Sequence, residues 1–177
     1  MLTTPLHSEA TDSRPWTVWR ARWRSLLLAF ALSFAVAGLG GALTDISDWY
    51  FQLKQPSWKP PDAAFGLIWS VIFSLCAVSG WIGWHCLPSP GLRRFALLLW
   101  GVNGGLNVLW SLLYFGWRRP DWAMLELPLL WLNILLLIAY HRRHSPWTAV
   151  LLLPYLVWVS IAGLLNWSTI ILNGPFG

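Results

Sequence analysis

AAFGLIWSVIFSLCAVSGWIGW, residues 63–84, contains no charged side chain. At ~1.5 Å per residue, a helix of this length reaches about 33 Å, enough to cross the ~30 Å hydrocarbon core of a bilayer. Its polar members are serines and indoles, which find partners within or between helices. The chain as a whole is written for the same solvent: 56% of its 177 residues are hydrophobic and 11% are charged. A soluble domain carries about 25% charged residues.

Outward from that stretch the pattern repeats. Uncharged or nearly uncharged runs at 25–44, 95–117, 122–140 and 147–172 have the length of a crossing. The expected fold is an all-α membrane protein: a five-transmembrane-helix bundle over residues 25–173, with a short tail at 174–177. Residues 1–24 read as a polar tail followed by an amphipathic lead-in, in which Trp16, Trp19 and Trp23 share a helical face beside Arg20, Arg22 and Arg24. The leader lacks a convincing cleavage site, so it does not read as a signal peptide. The links between spans two to five are short, which predicts antiparallel sequential neighbours. In the first span Ala29, Ser33, Ala37 and Gly41 form a small-residue stripe suited to close helix approach. Between spans one and two, residues 45–62 hold Trp49, Tyr50, Pro56, Trp58, Pro60 and Pro61, which suits a stiffened cap.

The net charge is +5, from twelve Lys and Arg residues against seven acids. The basic residues sit in short clusters between spans, with no stripe along a face, so nucleic-acid binding is not expected. Arg14, Arg20, Arg22, Arg24, Arg93, Arg94, Arg142 and Arg143 fall on one side; Lys54, Lys59, Arg118 and Arg119 fall on the other. The positive-inside rule then places the N-terminus in the cytoplasm and the Pro/Trp loop outward. Short loops favour a bacterial cell membrane. Cys76 and Cys86, ten residues apart on one helix, are about 15 Å apart and beyond disulfide reach. His7, His85, His141 and His144 form no metal box.

Sixteen tryptophans carry the functional signal. Trp49, Trp58, Trp84, Trp117, Trp122 and Trp147 stand at run ends, where an aromatic belt explains them. Trp69, Trp110, Trp158 and Trp167 lie further in. Trp69 and Trp110 are each about 10 Å deep from the loop side. Asn107 is on the Trp110 face, Asn103 is a turn deeper, and Glu126 enters from the same end. These groups fit either a pocket for a flat, largely apolar ligand, with Asn107 or Glu126 as polar anchor, or the amides that commonly join membrane helices. Glu126 reads equally as buried or as hydrated near the boundary. Gly101-Val-Asn-Gly-Gly105 fits a dimer face or packing within one chain.

Trp49-Tyr50 with Pro56-Ser-Trp-Lys-Pro-Pro61, Phe65-Gly-Leu-Ile-Trp69, Leu106-Asn-Val-Leu-Trp110 with Phe115-Gly116, Trp122-Ala123, and Pro154-Tyr-Leu-Val-Trp158 through Ala162-Gly-Leu-Leu165-Asn166 stand in this order. From Ser25 to Asn173 the sequence resembles the TspO/MBR family of tryptophan-rich sensory and translocator proteins, the peripheral-type benzodiazepine receptor relatives. The resemblance implies a five-helix bundle, often a homodimer, that binds porphyrins such as protoporphyrin IX under the first loop, with no covalent cofactor. Carried over by position, the pocket would comprise Tyr50, Trp69, Phe73, Asn107, Trp110, Trp122, Trp158, Ala162 and Leu165. The implied role is a porphyrin receptor or sensor, with tetrapyrrole transport or regulation. The alternatives are a light- and oxygen-dependent porphyrin-degrading enzyme using Trp69 and Trp158, and a structural membrane partner with no small ligand. The family's dimer contact lends weight to Gly101 and Gly105. Leu67 stands where a proline is usual, and Ala63 where an aromatic is usual. The ending Ile170-Ile-Leu-Asn173 departs from the family's basic one, and Trp167 has no basic residue after it, so sterol binding is not expected.

Overall fold

The computed structural model describes the backbone of residues 15–176 and the side chains from residue 22 onward. The polar tail and the Trp16/Trp19 face lie outside the described residues. The elements are α1 (Pro15–Leu43), the short α2 (Asp48–Gln52), α3 (Asp62–Cys86), α4 (Pro90–Ser111) running into a π turn (Leu112–Gly116), α5 (Pro120–Arg142) and α6 (Pro146–Asn173). No strand occurs among the described residues. Among the described residues five helices are long and apolar enough to cross a bilayer, and the chain is a multi-pass integral membrane protein.

Local chemistry sets the boundaries. α4, α5 and α6 each begin on a proline, whose fixed φ suits the first helical position and whose missing N–H costs nothing there. Ser89 caps α4 by accepting from the Leu92 N–H at 3.3 Å. The third span therefore starts at Pro90, earlier than its apolar run at Phe95. Arg93 and Arg94 sit inside the helix, where Arg93 Nε donates to the Leu87 carbonyl at 3.1 Å. The first loop folds its own short helix α2, behind Ser47.

The long helices pack as a ring in the order α1, α3, α6, α5, α4, closing back on α1. This corrects the expectation that every sequential pair lies side by side. α3 and α4 are joined by a tight turn but scarcely approach along their backbones, because α1 packs against both and the Trp100 indole fills the space over Gly80. Of the α1 stripe, Ser33 meets α3, its Oγ donating to the Phe73 carbonyl at 2.7 Å, whereas Gly41 is exposed, with no described atom within 4 Å of an added Cβ. On α4 the glycine that receives α1 is Gly104, where an added Cβ would meet Val36 at 2.9 Å. Gly101 and Gly105 point away from the bundle, with nothing within 4 Å of such a Cβ.

Polar groups in the interior are joined between helices. Asn107 Nδ2 donates to the Tyr155 hydroxyl, and that hydroxyl donates to Asn103 Oδ1 at 3.3 Å. Asn103 Nδ2 donates to Asn133 Oδ1 at 2.9 Å, and Asn133 Nδ2 to the Leu99 carbonyl at 3.3 Å. This chain ties α4, α5 and α6 together. In the orientation its neighbours require, the Asn166 amide donates to the Pro120 carbonyl at 3.0 Å and accepts from the Met124 N–H at 3.2 Å, clamping α6 to the first turn of α5.

At the end opposite the Pro/Trp loop, the buried His141 ring sits on Gly83, where an added Cβ would fall 2.5 Å from Cε1. Gly83→Ala is therefore expected to cost about 1–3 kcal/mol by overpacking, read as a lower unfolding midpoint in detergent. Gly91→Ala, where the space is open, should leave the midpoint within about 0.5 kcal/mol. Equal midpoints for the two variants would contradict this packing.

Candidate functional site

A cavity of about 710 Å³ occupies the loop end of the bundle. Its walls come from α1, the first loop, α3, α4 with its π turn, and α6; none of its described lining residues comes from α5. α5 lies across the ring, held against α4 and α6 by the amide chain and the Asn166 clamp.

One wall is built on α3 and α6. The Trp69 ring stacks on Phe73 with centroids 5.5 Å apart and meets Trp158 edge-on at 6.4 Å; Phe65 meets Trp158 edge-on at 5.5 Å. Residues 65, 69 and 73 recur every four positions and so share one face of α3. The opposite wall depends on the π turn. Trp117 N–H bonds to the Leu112 carbonyl at 2.8 Å and Arg119 N–H to the Leu113 carbonyl at 2.9 Å, and Arg118 takes φ 55° to close the helix. Such wide turns recur at functional sites. Here the turn presents Tyr114 and Phe115 to the cavity below the loop. Tyr114 stacks on Trp110 at 5.0 Å and contacts Phe115 at 4.7 Å, and Phe115 reaches Tyr50 at 5.9 Å.

The first loop roofs the hollow and is tied down at several points. Asn173 receives the Lys54 N–H at 2.8 Å and donates to the Lys54 carbonyl at 2.9 Å, so the end of α6 pairs with the loop as a strand partner would. Tyr50 donates to Asp62 Oδ1 at 2.7 Å, and Lys59 Nζ donates to the same carboxylate. Burial first, and then Asp62, push the Tyr50 hydroxyl well above its ordinary range, so it stays protonated and a donor. Trp49 packs edge-on to Tyr114 at 6.3 Å and so anchors the loop on the π turn. Between α1 and α3 the wall is incomplete: Gly38, Gly41, Gly66 and Ser70 line the cavity and are also exposed.

Of the residues expected in a pocket, Tyr50, Trp69, Phe73, Asn107, Trp110, Trp158, Ala162 and Leu165 line this cavity. Trp122 does not. It is exposed on α5, edge-on to Trp117 at 5.8 Å and under the Arg119 guanidinium at 4.6 Å. Glu126 does not reach the cavity either, because it too belongs to α5. It is 5% exposed, so the hydrated alternative also falls, and neither carboxylate oxygen has a partner among the described residues. Trp167, expected in the interior, is exposed on the outer surface of α6.

Residues not assigned to the pocket from sequence also line the space, among them Lys59, Asp62, Phe65, Tyr114 and Phe115. The α3 periodicity that places Trp69 and Phe73 would have found Phe65. Tyr114 and Phe115 lie in a π turn that nothing in the sequence announces.

Chemically the hollow is aromatic on facing walls with a few polar atoms. The indole N–H groups of Trp110 and Trp158 are buried without a partner among the described residues, and both residues line the cavity. Buried donors of this kind ordinarily find an acceptor. Beside the main hollow, Trp69, Asn107, Trp110 and Ala162 also bound a recess of about 10 Å³ shared with Leu127, Leu130 and Val159, about the size of one water.

Comparison with known proteins agrees with this architecture. The TspO/MBR family pattern matches residues 16–172. Protein CrtK of Rhodobacter capsulatus is 32% identical over 149 residues, covering 84% of this chain and 93% of that protein. The tryptophan-rich protein TspO of Chlorobaculum tepidum is 33% identical over 156 residues, covering 84% of this chain and 96% of that protein. The translocator protein of Bos taurus is 34% identical over 123 residues, covering 67% of this chain and 71% of that protein. With the match running from the lead-in of α1 to the last turn of α6, the chain belongs to the TspO/MBR family.

Proposed function

We propose that the cavity binds a porphyrin of the protoporphyrin IX type and that the protein acts as a membrane receptor or sensor for tetrapyrroles, with a role in their transport or regulation. The carrying observation is the convergence of Trp69 and Trp158 on one wall and Trp110 and Tyr114 on the other, with two indole N–H groups unpartnered among the described residues. Ring faces stack on a planar guest, and the free donors match its ring or substituent acceptors. The volume is within the ~300–1,000 Å³ common for small-molecule sites. The proposed setting is a bacterial cell membrane with the N-terminus cytoplasmic and the loop outward, on the Lys/Arg asymmetry.

A second reading, light- and oxygen-dependent porphyrin degradation, is favoured by one contact: the Trp69 and Trp158 rings touch edge-on on the same wall, where a bound macrocycle would lie against both. Self-association is also proposed, through the α4 face bearing Gly101 and Gly105, because both glycines are exposed with open space above them.

Titrating protoporphyrin IX against tryptophan fluorescence should give saturable quenching, and Trp69→Phe with Trp158→Phe should weaken binding about tenfold. Unchanged affinity in the double variant would remove this site. Under illumination in air, the Soret band should bleach faster with the wild type than with the double variant if degradation occurs; a rate equal to the detergent blank removes the enzymatic reading. In lipid bilayers, Gly105→Leu should weaken self-association by about 1 kcal/mol or more, measured as the dimer fraction against protein-to-lipid ratio; an unaltered fraction contradicts that face.

A further inference from the structure

We infer that Lys59 is the specificity-determining cation of the cavity and selects ligands that carry a carboxylate at the roofed end. The inference rests on the porphyrin reading above and names the ligand group that the mouth of the site recognises. The observations are local to the roofed end of the cavity. Lys59 and Asp62 are the two charged residues among those described as lining the cavity.

They are not disposed alike. The Lys59 side chain is 15% exposed and that of Asp62 42%. The carboxylate is therefore the solvated member of the pair, its field screened by water, while the ammonium sits on the less hydrated side where a charge interaction is stronger.

The ammonium is also held in place. Its nitrogen lies 5.3 Å from the centre of the Tyr50 ring and 5.5 Å from that of Phe65. It donates to the Tyr50 hydroxyl at 3.1 Å and to Asp62. An ammonium has three N–H donors, so these bonds leave one without an acceptor among the described residues. The chain approaching it is stiff: the Lys59 N–H bonds to the Pro56 carbonyl at 3.0 Å, and Pro60-Pro61 lead directly into α3. A lysine that usually loses much side-chain freedom on binding is here ordered beforehand.

The same geometry disfavours other polar termini. A cationic substituent would meet the Lys59 ammonium, and the Asp62 carboxylate, also on the lining, is already engaged by Lys59 and Tyr50. A neutral ester would keep the ring stacking but exchange a charge-assisted hydrogen bond for a weaker one. A flat ligand whose acid groups lie at one edge can place its ring between the aromatic walls and that edge under the loop.

The test compares protoporphyrin IX with its dimethyl ester, which has the same macrocycle and no free carboxylate. Both are titrated against the full chain in detergent, with an empty-micelle blank, for the wild type, Lys59→Met and Lys59→Arg. The wild type should bind the diacid about tenfold more tightly than the ester. Lys59→Met should lose that preference by weakening the diacid alone, and Lys59→Arg should keep it. Equal wild-type binding of acid and ester overturns the inference while leaving the porphyrin reading standing. A Lys59→Met variant that weakens both ligands equally also overturns it, because that is the signature of a lysine that only braces the loop. Binding of neither ligand to the wild type would overturn the porphyrin reading, and this inference with it.

Discussion

The hydrogen-bonded chain from Asn107 through Tyr155, Asn103 and Asn133 to the Leu99 carbonyl is the constraint on which the rest of the bundle depends. In hydrocarbon a polar side chain has no water to fall back on, so helices that carry amides must bring them together. α4, α5 and α6 do so and become one solid wall, reinforced where Asn166 is inserted at the first turn of α5. Among the described residues α1 adds no amide to this network and packs through the Ser33 hydrogen bond to α3 and through Val36 on Gly104 of α4, so the loop end of the bundle can stand open between it and the solid wall. The cavity is the space left by that asymmetry.

The aromatic rings then decide what the space is good for. Trp69, Phe73 and Phe65 are aligned by helical period on α3, and Tyr114 and Phe115 are turned inward by the π segment that ends α4. The loop is closed over them by backbone pairing to Asn173 and by the Tyr50–Asp62–Lys59 cluster. The Asp45–Arg118 pair, at 3.8 Å and more than half exposed on each side, adds little to this closure. Asn107 belongs to both systems, since it stands on the cavity wall and begins the amide chain. Disturbing it would disturb the packing of the solid wall along with the site.

Much of this was legible in the sequence because it is carried by length and period. Uncharged or nearly uncharged runs give the crossings, and the small-residue stripe of α1 gives the Ser33 contact with α3. The depths of Trp69 and Trp110 put them beside one recess. What was not legible is which side of the ring each helix occupies. Trp122 and Glu126 have the right depth for the site, but α5 lies behind the amide chain, and depth along a helix says nothing of its neighbours. Trp167 fails for a related reason: its position is interior by depth but its direction is outward. The starts of α4, α5 and α6 were marked by Pro90, Pro120 and Pro146, a signal outweighed by charges near the run ends. The π turn left no mark in residue type, so Phe115 was visible only as a motif residue and Tyr114 not at all, and that both face the cavity could be found only in three dimensions.

A structure of the protein in a lipid nanodisc with protoporphyrin IX bound is the most direct test of the account. The macrocycle should lie between α1, α3, α4 and α6 beneath the first loop, against Trp69 and Trp158, with no side chain of α5 touching it. A macrocycle seated on the outer surface of the bundle, or a filled cavity reached from α5, would contradict the account.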